Sequence, residues 1–157
     1  MTQALASEQT VAQITGLLLT LSDRLLLVPN TAVAELVAYR NVQPAENSPN
    51  WLLGQIAWRD LSLPLLALEA VENDTPVDLD SARVVIINAI GGRPKFRFFA
   101  LLIKGIPRSV RIDDSLQRLS DEPLQALELD AVSIDGEVAK IPDLAGLEQK
   151  LADLELI

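Results

Sequence analysis

Hydrophobic and polar positions fall in short blocks along this chain, and the block pattern suits strands better than helices. Between Ser48 and Val71 two apolar runs, Trp51–Trp58 and Leu61–Leu68, flank a single charged pair, Arg59-Asp60. Short apolar runs bounded by turn signals predict two strands joined at a tight charged tip. Pro64 cannot donate to a sheet ladder, so the return strand is expected at an edge or with a bulge. Upstream, Ile14–Leu21 and Leu25–Val28 predict two strands around an Asp23-Arg24 turn, with Pro29-Asn30 ending the second. Thr31–Ala38 predicts a short helical turn leading into a strand, and Gln43–Asn50 a polar loop. Downstream of an acidic segment, Glu72–Asp80, the run Arg83–Ile90 is β-branched and nearly continuous, which predicts a strand buried on both faces. Gly91-Gly92 predicts a hairpin turn, Phe96–Ile103 its return strand and Ile106–Ile112 a further strand. Asp113–Pro123 is polar and irregular. Leu127–Ile134 and Glu137–Ile141 pair across Asp135-Gly136, a type I′ signal. Asp143 caps a final helix with Leu144, Leu147, Leu151 and Leu154 on one face.

This pattern predicts a mostly β fold with one C-terminal helix, a barrel or sandwich rather than α/β. Residues 1–13 read as a flexible N-terminal tail and 14–157 as one folded unit. The acidic segment divides that unit into approximate halves, 14–71 and 82–157, each with strands enough for a small barrel and free to exchange strands.

Composition narrows the chemistry. With 157 residues, 49% of them hydrophobic, the chain can bury a substantial core, which excludes a disordered protein. The net charge of -9 opposes non-specific binding to nucleic acid or an anionic membrane. There is neither cysteine nor histidine, so disulfides, thiolate ligands, Ser-His-Asp and Cys-His hydrolases are all excluded. The apolar segment Gly16–Leu21 is too short for a signal core or a membrane span, and the chain is expected in the cytoplasm without membrane insertion. Asn73-Asp74-Thr75 fits a glycosylation sequon that a cytoplasmic protein would not use.

The remaining candidate chemistry is sparse. Asp113-Asp114 and Asp121-Glu122 are adjacent carboxylates; an enzyme working with carboxylates alone competes there with a plain solvated acidic loop. Arg93, Lys95 and Arg97 interleave with Phe96 and Phe98, a pattern that a single-stranded nucleic-acid binder would use; against it stand the acidic whole and phenylalanines spaced to face the core. Lys104, Arg108 and Arg111 form a second basic cluster. No cofactor or metal site is expected. Trp51 and Trp58 suit a core, and Arg59 between them suits bidentate recognition of a partner carboxylate.

These residues also carry a family resemblance. Pro49-x-Trp51-Leu52-x-Gly54-x-Ile56-x-Trp58-Arg59, followed by Leu63-Pro64-Leu65-x-x-Leu68, resembles the signature of CheW-like domains. Val33-Ala34-Glu35-Leu36 matches the family's Val-x-Glu segment, Arg83–Ile87 and Ala100–Ile106 its central hairpin, and Ile134-Asp135-Gly136 through the leucine helix its end. The resemblance spans about Ile14 to Leu154. It implies two small SH3-like five-stranded β-barrels packed together, with a C-terminal helix. It implies a non-enzymatic adaptor that couples the cytoplasmic tips of chemoreceptors to the regulatory domain of a CheA-type histidine kinase, the latter through an apolar patch on one barrel. Carried over by position, the receptor-facing residues are Val33, Glu35 and Arg59, with Asp60 beside them. Two positions depart from the family pattern. Asp60 stands where a glycine is usual, placed to cap or neutralise Arg59, and Lys104 replaces an acidic residue. The chain is similar to the leaner versions that serve type IV pilus and twitching systems.

Overall fold

The computed structural model describes residues 14–72, 75–113 and 116–154. The predicted tail, Asn73 and Asp74 of the sequon, and Asp114 lie outside them. Eleven strands follow in order: β1 Ile14–Thr20, β2 Leu25–Pro29, β3 Val33–Ala38, β4 Gln43–Pro44, β5 Leu52–Trp58, β6 Leu61–Leu66, β7 Ala82–Asn88, β8 Phe98–Ile112, β9 Gln117–Arg118, β10 Glu128–Ile134 and β11 Glu137–Pro142. Among the described residues one α-helix, α1, spans Leu144–Asp153. The strands pair along the open path β4-β5-β6-β8-β1-β2-β11-β10-β9, and β3 joins through β7 to β8. The mostly β expectation with a C-terminal helix therefore holds, although the sheet is not closed.

Two apolar clusters sit on this sheet. The larger gathers Trp51, Trp58, Leu65, Leu66, Val84–Ile87, Phe99 and Leu101–Ile103. The smaller gathers Leu18, Leu27, Val132, Ile134 and Ala139. Leu19 and Leu26 face the larger cluster while their chain neighbours Leu18 and Leu27 face the smaller. Successive side chains on a strand point to opposite faces, so β1 and β2 serve both clusters at once. That is why both strands read as unbroken leucine runs instead of alternating. Strands β1 and β2 pair with β8 and β11, so the sheet ties residues from both sides of the acidic segment.

Two predicted elements are corrected. Phe96–Ile103 and Ile106–Ile112 are one strand, β8, of 15 residues. Gly105, at φ 66, bends it without ending it, and its register against β1 shifts between Leu18 and Thr20. Bent this way, β8 runs through both clusters. Gly91-Gly92 does not close a tight hairpin: Asn88 pairs with Phe98, which leaves a loop over 89–97. The cause is long-range. Glu148 of α1, fully buried, accepts hydrogen bonds from the Ile90 and Gly91 amides at 2.7 and 3.0 Å. It also pairs with Arg93 at 3.4 Å.

The predicted strand before Gly91, the Asp-Gly turn and the helix cap are observed. Val84, Val85, Ile86 and Ile87 are each fully buried. Asp135 and Gly136 have φ 51 and 81, as a type I′ turn requires. The Asp143 carboxylate accepts from the Gly146 amide at 2.9 Å. Helix α1 then buries Leu147 and Leu151 against the larger cluster, about 1.5–3 kcal/mol each. Leu154 is exposed at the helix end rather than on that face.

Candidate functional site

The β5–β6 hairpin sets the site. Trp58 pairs with Leu61 across the Arg59-Asp60 turn, and the register runs unbroken to Gln55↔Pro64. A two-residue turn closes on a hydrogen-bonded pair, so Trp58↔Leu61 and Ile56↔Leu63 exchange backbone bonds, whereas Gln55↔Pro64 does not. Proline therefore removes no bond from the β5 ladder. On its other side β6 meets β8 only at Leu65 and Leu66, one residue past the proline. The expected edge character of Pro64 is thus local. Leu52, Gly54, Ile56 and Trp58 form the buried face of β5, with Trp51 just ahead, while Leu53 is only half-buried. Gly54 is required: at φ 145, a Cβ there would overlap the Gln43 carbonyl oxygen.

Trp58 is core, as expected, and packs edge-on against Phe98 with ring centroids 4.8 Å apart. Its indole N–H reaches outward and donates to Glu35 Oε1 at 3.2 Å. Arg59 lies over the same indole, its guanidinium carbon 4.3 Å from the ring centroid, and an Arg59 guanidinium nitrogen approaches Glu35 Oε1 at 3.6 Å. Glu35 itself comes from β3, two residues beyond Val33, which is half-buried and pairs with Ile87 of β7. The structure thus brings Glu35 and Arg59 together over one buried tryptophan. The Arg59 side chain remains 69% exposed.

Asp60 is exposed, and the ion pair that Arg59 makes is with Glu35, not with Asp60. The turn does not demand a glycine at position 60. Arg59 has φ 54, a left-handed conformation, while Asp60 is not among the positive-φ residues. The strain of the turn therefore rests on the arginine. The Trp58–Glu35 hydrogen bond was not visible in the sequence; its one signal was an acidic residue at the edge of a predicted strand.

The other departure has a local explanation. Lys104 Nζ donates to Asp78 Oδ2 at 2.7 Å and to the Asp80 carbonyl at 2.9 Å, tethering the acidic segment to β8. The Lys104 hydrogen bond, and after it the Asp80 amide, hold the Asp78 carboxyl below its ordinary value. In the rest of the basic clusters, Arg108 pairs with Glu137 at 3.0 Å, and Arg93 is taken by Glu148. Phe96 is buried and stacks parallel to Phe99, while Phe98 packs on Trp58. These rings form no platform for bases. Asp121 is exposed and Glu122 half-buried; Asp114 lies outside the described residues. Among the described residues no three acidic side chains gather to hold a metal ion.

A buried charge cluster joins the β1–β2 turn to β10 and β11. Glu128 has a fully buried side chain whose Oε2 accepts from Arg24 at 2.8 Å. Its Oε1 accepts from Lys140 and from the Gln125 amide, both at 2.8 Å. Burial alone lowers the Arg24 pKa, but the hydrogen bonds and charges of Asp23 and Glu128 outweigh it and raise the pKa above its usual value.

Residues 15–151 match the family model described as the CheW-like domain. The chain belongs to the CheW-like family. This CheW-like domain also shares its fold with a crystal structure titled as the scaffolding protein TtCheW from Thermoanaerobacter tengcongensis. The TM-score is 0.69 at 17% identity, covering 85% of this chain and 86% of that one. Comparison with curated proteins returns no match. Among the described residues no helix is long and apolar enough to cross a membrane.

Proposed function

We propose that this CheW-like domain is a non-catalytic adaptor that couples the cytoplasmic tips of chemoreceptors to the regulatory domain of a CheA-type histidine kinase, in a chemotaxis or type IV pilus motility system. The match of the family model over residues 15–151 carries this reading. The surface around Arg59 supports it. An arginine stacked on a buried indole and braced by Glu35 is a pre-positioned fork for a partner carboxylate. Val33 and Glu35 on β3 and Arg59 with Asp60 on the hairpin tip make up the receptor-facing surface. Contacts of micromolar strength, about -8 kcal/mol, suit a component held in an array by several partners at once.

The test is gel filtration of the purified protein with receptor tips and with the kinase regulatory domain, separately and together. Co-elution with both supports the adaptor. Absence of co-elution with either partner at high micromolar concentration defeats it.

A further inference from the structure

Strand β6 offers an unused backbone edge. Leu61 to Pro64 lie ahead of its pairing with β8, which begins at Leu65. Because Leu61 and Leu63 spend their backbone groups on β5, the Ser62 N–H and C=O point away from it, whereas the Pro64 C=O already faces Ala100 of β8. The opposite wall is the segment Pro94–Phe98, the end of the loop that Glu148 anchors at Ile90 and Gly91 together with the first residue of β8. Between the two walls lies a cleft of about 270 Å³, floored by Leu63, Phe96 and Phe98. Lys95 and Arg97 line it. Both are exposed, and neither makes an ion pair among the described residues. On a chain of net charge -9, two unpaired cations beside an open sheet edge are a local inversion of the surface.

We propose that this cleft is a docking groove for an acidic, extended peptide segment of a partner protein, which adds to the free edge of β6 while its carboxylates meet Lys95 and Arg97. The two unused backbone groups of Ser62 fix the direction and register of the segment. The apolar floor takes the side chains that alternate with the acidic ones, because residues on a strand face opposite ways. The acidic remainder of the surface repels the same segment elsewhere, which confines it to this groove. A nucleic-acid strand fits the site less well. Arg93 is committed to Glu148, and the phenylalanine rings are packed inward against Trp58 and Phe99.

The probe is a fluorescein-labelled synthetic peptide of about eight residues, alternating Glu with Val, followed by fluorescence anisotropy against the full chain. Its controls are the same peptide with Lys for Glu, a version with proline at alternate positions, and an oligothymidylate. The acidic peptide is expected to bind below about 1 mM, and about tenfold more weakly to a Lys95→Glu/Arg97→Glu variant of unchanged melting temperature. The proline version is expected to bind more weakly as well, because it cannot donate to the edge. The Ser62 amide resonance is expected to shift on binding. If that variant melts early, Lys95→Gln and Arg97→Gln singly replace it, each expected to weaken the acidic peptide. No binding of the acidic peptide at about 1 mM, equal binding of the lysine peptide, or displacement of the acidic peptide by oligothymidylate at equal concentration overturns the proposal.

Discussion

Arg59 carries two loads of opposite sign, and two substitutions separate them. The residue sits at φ 54, which costs a side-chain-bearing residue about 1–2 kcal/mol relative to glycine. Against that stand its contacts. The ion pair to Glu35 is 3.6 Å long with side chains 69% and 46% exposed, so it contributes well under about 1 kcal/mol. The guanidinium over Trp58 adds about 0.5–1 kcal/mol. Arg59→Ala removes both contacts and keeps the strained backbone, so it should destabilise by about 1 kcal/mol, a fall of about 2–4 °C in Tm. Arg59→Gly removes the same contacts but relieves the strain. The greater freedom of glycine in the unfolded chain takes back about 0.4–1 kcal/mol. The net is close to zero, and the glycine variant should melt within about 2 °C of the parent. Differential scanning calorimetry of the three proteins reads this directly. A glycine variant that melts as low as the alanine variant, or lower, refutes the assignment of strain to Arg59. Both variants should lose receptor binding alike, because the fork is gone from each.

Three other expectations rest on different parts of the molecule. Glu128→Ala leaves Lys140 a buried charge without its carboxylate, while Arg24 keeps Asp23, and urea unfolding should show a loss of about 3 kcal/mol. Glu148→Ala frees the Ile90 and Gly91 amides, so hydrogen exchange at those two positions should accelerate while Val84–Ile87 stay protected. Asp78 has a lowered pKa in the folded chain, so its tether to Lys104 contributes above the ordinary carboxylate pKa of 3.8 and is lost as pH falls through the lowered value. Acid titration followed at the Asp80 amide, which donates to Asp78, should therefore show the tether opening only below that range, and Asp78→Asn should remove the transition.

What could be read from the chain, and what could not, divides by the range of the interactions involved. The β5–β6 hairpin, the Asp135-Gly136 turn and the Asp143 cap were legible because each is decided by residues a few positions apart. Gly91-Gly92 looked like a turn on the same local logic. The loop instead answers to Glu148, 57 residues downstream of Gly91 and indistinguishable in sequence from any helical glutamate. Strand β8 looked like two strands because Gly105 and Pro107 are normally breaks; its pairing with β7 on one part and β1 on the other keeps it whole. The Arg24–Glu128–Lys140 cluster was likewise hidden, since 104 residues separate Arg24 from Glu128. At the site, the sequence singled out Val33, Glu35, Arg59 and Asp60 through the family motif. That Trp58 would bridge Glu35 and Arg59, one through its N–H and the other through its ring, needed the geometry. Asp60 drew notice as the departure from glycine, whereas the left-handed residue of the turn is its neighbour Arg59.

The most direct test of the adaptor reading is isothermal titration calorimetry of receptor tips into the wild-type protein and into Arg59→Glu, with kinase-domain binding measured on the same two samples. Micromolar receptor binding to the wild type, a loss of at least about tenfold in the variant, and unchanged kinase binding are expected. Receptor binding of equal strength in Arg59→Glu, with the variant folded, would contradict that reading.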